Sequence, residues 1–187
     1  MIRRTFLLLA VITIAGCGGL PAGASDVARE AGLIEASLAA VGNASVGAVI
    51  HDPEVTLVAV RPAASGGYEA AEIASSSPVA FGQNSVRLAF GPMDPSANNA
   101  GCCGYAYGTA APGVARVTLD GYKKTAGGTV ANGVWAIAIE GVTDINPSNL
   151  HWTFQARDGS PIQQGVGLLF PGEASSQPQQ AIRPDFR

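Results

Sequence analysis

Few side chains in this 187-residue sequence are placed to do chemistry. Cys102 and Cys103 are adjacent in the run Asn98 to Gly104, and the third cysteine, Cys17, stands alone near the start. Neighbouring residues lie about 3.8 Å apart at Cα, below the usual disulfide span of about 4.4–6.8 Å, so a bond between them closes a small strained ring. Strained disulfides are also the more reducible ones. The pair leaves open a vicinal disulfide, free or intermolecular thiols, and metal or redox work. His51 with Asp52, His151, and Ser75 to Ser77 supply a base, an acid and a nucleophile, and such a set is assembled in space rather than in sequence. The same histidines with both sulfurs offer donors for copper or zinc, although adjacent cysteines lack the spacer that turns two sulfurs toward one ion. Tyr105 and Tyr107 fall on one face of a strand, where they either pack in a core or form an aromatic platform for a sugar or peptide.

The remaining searches assign nothing. No G-x-S-x-G elbow, phosphate loop, dinucleotide fingerprint, H-E-x-x-H or EF-hand loop occurs in the sequence. Asp94, Asp120, Asp144 and Asp158 sit beside Gly or Pro, or one residue from Asn, and turn chemistry accounts for them. No residue is therefore assigned to catalysis or to a metal, and no cofactor is expected.

Cys17 has a clearer context. Arg3 and Arg4 precede an uncharged stretch from Phe6 to Ala15, and Gly16, Gly18, Gly19 and Pro21 end it at about half the roughly 20 apolar residues that span a bilayer. The step Ile14-Ala15-Gly16-Cys17 resembles a lipobox, and over its first tenth the chain resembles a bacterial prolipoprotein. That resemblance implies a diacylglyceryl group on the Cys17 sulfur, cleavage before Cys17, and anchoring on the extracytoplasmic face of the cell membrane. Acyl burial stabilises by about 0.8 kcal/mol per CH₂, so two or three chains hold where one does not. Two other readings stay open. Ala22-Gly23-Ala24 is an A-x-A step whose cleavage would release a soluble protein, and Cys17 could be a small hydrophobe. Arg3-Arg4-Thr5-Phe6-Leu7 also resembles the twin-arginine export motif, an alternative to the general secretory route.

Composition bounds the rest. Removing Met1 to Gly16 takes two of the 11 basic residues and none of the 14 acidic ones, leaving a formal charge of −5. A mildly acidic surface gives no electrostatic reason to bind nucleic acid. Charged residues make up 13%, about half the usual share, and 24 Gly with 12 Pro describe a turn-rich chain.

The elements that must position these groups follow from periodicity. Val27, Ala31, Ile34, Leu38 and Val41 line one face of a helix capped by Ser25 and ended by Gly42-Asn43. From Ser45 the period becomes two: Val46 to His51 and Val55 to Val60 form a hairpin through Asp52-Pro53-Glu54, and shorter runs follow around Ile73, Val79 to Phe81 and Ser85 to Phe90. Gly91 to Gly101 is expected to be a long loop and the best candidate for a recognition surface. Beyond it, Asp120-Gly121, Asn132-Gly133 and Asp158-Gly159 read as hairpin turns. The bulky face Trp135, Ile137, Ile139 is expected to be the core face, as are Leu150, Trp152 and Phe154.

The expected organisation is a signal peptide over 1–16, a lipidated tether over 17–25, one mainly β domain over 26–170 and a disordered tail over 171–187. The fold expected is an antiparallel β-sandwich with one N-terminal amphipathic helix. From Tyr105 to Gln164 the strand and turn order resembles immunoglobulin-like β modules exported by high-GC Gram-positive bacteria. That likeness implies a structural or binding unit; a protein or glycan ligand is left open, with none identified. The function expected is a membrane-anchored lipoprotein with a non-catalytic β domain; the alternative is a redox, copper- or zinc-handling module or a hydrolase centred on Cys102, Cys103 and the two histidines.

Overall fold

The computed structural model describes residues 20–21, 23–51, 54–76, 82–91, 103–121, 124–140 and 146–170. The leader and lipobox, Asp52, Ser77, the run Val79 to Phe81, Cys102, Asp144, nearly all of the expected recognition loop and the tail lie outside them. A helix α1 (Ala24–Glu30) is followed by strands β1 (Ala39–Val41), β2 (Ala44–His51), β3 (Glu54–Pro62), β4 (Tyr68–Ser76), β5 (Arg87–Gly91), β6 (Cys103–Thr109), β7 (Arg116–Gly121), β8 (Lys124–Thr129), β9 (Val134–Glu140), β10 (His151–Gln155) and β11 (Pro161–Val166). The chain is mainly β and every pairing is antiparallel. The sheet orders are β1-β2-β3-β4, β5-β6-β9 and β11-β10-β7-β8.

The β5-β6-β9 sheet lies between the other two, because alternate residues of each strand serve different cores. Ala89, Tyr105, Tyr107, Val134 and Ala136 pack on Val46, Ala48, Val55, Leu57 and Ala59 of the first sheet. The opposite set, Ala106, Trp135, Ile137 and Ile139, packs on Val117, Leu119, Trp152 and Phe154 of the third. This corrects the expectation of a single core face in β9. Both faces are core, and the smaller one is buried under tyrosines. On the outer side of the first sheet, Val49, Val58 and Val60 are covered by Ala24, Ala28 and Leu33, which makes α1 an outer layer.

The helix is shorter than its periodicity predicts. Gly32, at φ 75°, ends it in a Schellman motif, with Leu33 N–H donating to Ala28 O and Gly32 N–H to Arg29 O. Gly23 holds the N-cap position, so Ser25 lies inside the helix rather than capping it. Ile34 and Leu38 flank a 3-10 turn at Glu35–Ser37, and Val41 belongs to β1. Gly42-Asn43 is the turn of the β1–β2 hairpin and not a helix end.

Two other turns differ. Asp120 and Gly121 do not form a turn but remain paired within β7 and β8, with Thr125 and Lys124. Asn132 at φ 50° and Gly133 at φ 74° do make the expected tight turn, joined by the Ala131–Val134 bridge. It connects strands of different sheets, however, carrying the chain from the outer β8 into the central β9. The β2–β3 and β10–β11 hairpins form as read, the latter turned by Asp158, whose carboxylate accepts from Ser160 Oγ at 2.7 Å and Ser160 N–H at 2.9 Å. Those two bonds, the hydroxyl first, hold that carboxyl below its ordinary range.

Candidate functional site

Of the groups singled out for chemistry, His51 and Ser75 meet at one end of the first sheet through Glu54, while His151 and Cys103 lie elsewhere. His51 ends β2 in the first sheet and His151 opens β10 in the third, both exposed, with the central sheet between them. Sheets stack about 10 Å apart, so two such layers separate the imidazoles far beyond any shared ligand or proton transfer. Cys103 is buried in the core between the first and central sheets and is held in a disulfide whose other half lies outside the described residues. Neither histidine belongs to that core. Ser75 donates its hydroxyl to Glu54 and lies 3.5 Å from Thr56 Oγ1. His51 is the cross-strand register partner of Glu54, so the carboxylate rather than the imidazole takes the Ser75 hydroxyl, which is not the serine–histidine–carboxylate order of a triad. Among the described residues no three His, Cys, Asp or Glu gather as metal ligands.

Tyr105 and Tyr107 sit in the core rather than on an open platform, 0% and 2% exposed. Burial pushes the Tyr105 hydroxyl up to about 12 from its ordinary 10.

Among the described residues the surface holds a cleft of about 420 Å³. Ile50, Thr109 to Val114, Val130, Asn132 and Gly133 line it, with Gly82 at its margin. Its floor is fixed by a buried polar latch that periodicity did not reveal. Ser85 Oγ lies 2.8 Å from Thr109 Oγ1 and accepts from Thr109 N–H at 2.8 Å, while Thr109 Oγ1 donates to Gln83 O at 2.7 Å. Trp135 Nε1 donates to Thr109 O at 3.1 Å, and Ala111 N–H to Asn84 Oδ1 at 2.7 Å. The only advance signal was the polar triplet Gln83-Asn84-Ser85 set directly before an apolar strand. The latch satisfies its own polar atoms, which leaves the cleft with backbone, small apolar groups and the Asn132 amide to offer. Among the described residues that line it, no side chain titrates.

The outer face of the third sheet is the other open surface. Thr125, Asp120, His151 and Val166 form one row across it, and Gly127, Thr118, Thr153 and Gln164 the next. Thr125 Oγ1 donates to Asp120 at 3.3 Å and Gln164 Nε2 to Thr153 Oγ1 at 3.4 Å, which flattens the face into a hydroxyl and amide surface. Comparison with protein-family models, curated proteins and solved structures finds no match to this chain.

Proposed function

We propose that this chain is a lipoprotein held by an acylated Cys17 on the extracytoplasmic face of the cell membrane, with a β domain that binds or supports rather than catalyses. The observation that carries the reading is Cys17 itself, placed after Ile14-Ala15-Gly16 at the end of an arginine-led apolar leader. The cleft with no titratable lining and the flat hydroxyl face of the third sheet support a binding role, and a protein or glycan is the ligand class such surfaces suit. We read the central and third sheets, packed across Trp135 and Phe154, as an immunoglobulin-like unit; their antiparallel pairing and aromatic core support this.

Intact mass of the detergent-extracted protein tests the anchor. The expected product lacks residues 1–16 and carries diacylglyceryl or triacyl mass at Cys17, and Cys17→Ser loses that mass. A wild-type product that begins at Ser25 without lipid overturns the reading, as does acyl mass retained by Cys17→Ser.

A further inference from the structure

We infer that this chain stands on the membrane by one end of its first sheet, with Leu20, the Gly42-Asn43 turn and the loop from Pro62 to Gly67 against the lipid headgroups and the cleft held away from them. The inference rests on the acylated Cys17 proposed above and adds what that anchor does to the domain. Only Gly18 and Gly19 separate Cys17 from Leu20. Leu20 packs on the outer core of the first sheet and Ala24 N–H donates to Pro21 O at 2.9 Å, so both residues already belong to the outer layer. Three residue steps reach at most about 10 Å, which keeps Leu20 within that distance of an acylated Cys17 and so of the headgroups. A spacing this short leaves the domain little room to turn, and the surface around Leu20 is the one that meets the bilayer.

Register identifies that surface. A Cβ on Gly23 would lie 3.8 Å from Tyr68 Cδ2, which sets the chain entering α1 over the start of β4. Tyr68 pairs with Pro62, Ser45 with Val60 and Val41 with Ala44, so the β3–β4 loop and the β1–β2 turn share that end of the sheet. Its chemistry suits a headgroup layer. Leu20 to Ser25, Gly42-Asn43 and Pro62 to Gly67 contain no charged residue, and Arg61 beside them donates to Glu69 at 2.8 Å. Anionic headgroups repel carboxylates at short range, so a chain with an acidic excess approaches them best by an end without net charge. Ala64, Ser65, Gly66 and Gly67 are exposed and small, which makes this a resting contact and not an insertion. His51 and Glu54 stand at the other end of the β2–β3 hairpin. Ile50, on the wall of the cleft, is about 20 Å along β2 from Ala44, so the cleft stays clear of the bilayer.

Nuclear magnetic resonance of the acylated chain on bilayer discs tests this orientation, the discs being phosphatidylethanolamine and phosphatidylglycerol with a gadolinium-chelating headgroup lipid. Broadening by gadolinium falls off steeply with distance. Amide signals of Asn43, Ser65 and Gly66 should be lost, and those of Ile50, His51 and Gly133 should persist. Inserting about ten Gly and Ser residues between Gly19 and Leu20 lets the domain drift and turn, and the lost signals should return. Acylated, disc-bound protein that loses signal equally at both ends, at neither, or more at Ile50 and Gly133 overturns the orientation and leaves the anchor standing. Signals that stay lost after the insertion overturn the short spacing as its cause. Protein recovered without acyl mass, and so not held on the discs, overturns anchor and orientation together.

Discussion

A tyrosine shows most plainly how individual residues answer to their layer. Tyr105 was readable as either platform or core, and only its place in the central sheet decides, since a strand buried on both faces has no open side on which to display a ring. Its hydroxyl is buried, and among the described residues it has no hydrogen-bond partner. A buried unpaired polar group costs about 1–3 kcal/mol, so Tyr105→Phe is expected to raise stability by about 1 kcal/mol, measured by urea unfolding at neutral pH. A comparable loss instead would reveal a partner for that hydroxyl. The pH dependence has a definite sign. The folded value of about 12 lies above the unfolded 10, so below pH 10 the contribution of this group is fully present, and it is lost as pH rises toward 12. The slope is at most roughly 1.4 kcal/mol per pH unit. Unfolding at pH 9 and pH 11 should separate in wild type and separate less in Tyr105→Phe; equal pH dependence of the two proteins would reject this assignment.

At the level of elements, the two adjacent glycines of β8 make a matched test of how strands cross. A Cβ on Gly128 would sit 2.6 Å from the Ala136 carbonyl oxygen, because β8 passes close over β9 there. A Cβ on Gly127 would meet only the far end of the Arg116 side chain, which can swing away. Gly128→Ala is therefore expected to cost about 2–3 kcal/mol, as overpacking against backbone does, and Gly127→Ala well under 1 kcal/mol, compared by thermal unfolding. Equal effects would mean that the close approach is not what selects glycine at 128. Sequence alone shows two glycines in a row and nothing to tell them apart, because the constraint comes from a strand in another sheet. The same reason separates what was legible from what was not. Leu150, Trp152 and Phe154 read correctly, since the third sheet has one wet face and alternation records it. In β9 the alternation of bulky and small residues suggested one wet face, whereas both are buried. The long helix failed at Gly32: Ile34 and Leu38 keep a helix-like spacing, but the chain has left the helix there, and Leu33 and Leu38 lie over Gly47, where a Cβ would come within 2.6 Å of Leu38 and 2.8 Å of Leu33. Of the candidate site, the cleft was not legible, because Ile50, Thr109 and Gly133 meet only through the fold, whereas the role proposed for Cys17 rests on a linear motif alone.

For the whole molecule, the central sheet decides whether two cores behave as one. Trp135 is fully buried on the side facing the third sheet, edge-on to Phe154 at 6.0 Å, while Val134 and Ala136 beside it in β9 pack on the first sheet. Removing the indole strips the largest side chain from one core and also frees the strand that the other core rests on. Trp135→Ala is expected to cost about 3–5 kcal/mol, the range for truncating a large buried aromatic. Because β9 is common to both cores, the loss should appear in each. The two can be read separately: Trp152 fluorescence reports the outer core of the third sheet, and amide exchange at Val46 and Leu57 reports the core of the first. Both should weaken by the same free energy, and in wild type both should lose structure at one denaturant midpoint. If amides of the first sheet keep wild-type protection in Trp135→Ala while Trp152 reports a loosened environment, the stack is two units sharing a wall. The central sheet would then be a partition, and the argument that its doubly buried strands bind the layers into one cooperative fold would fail.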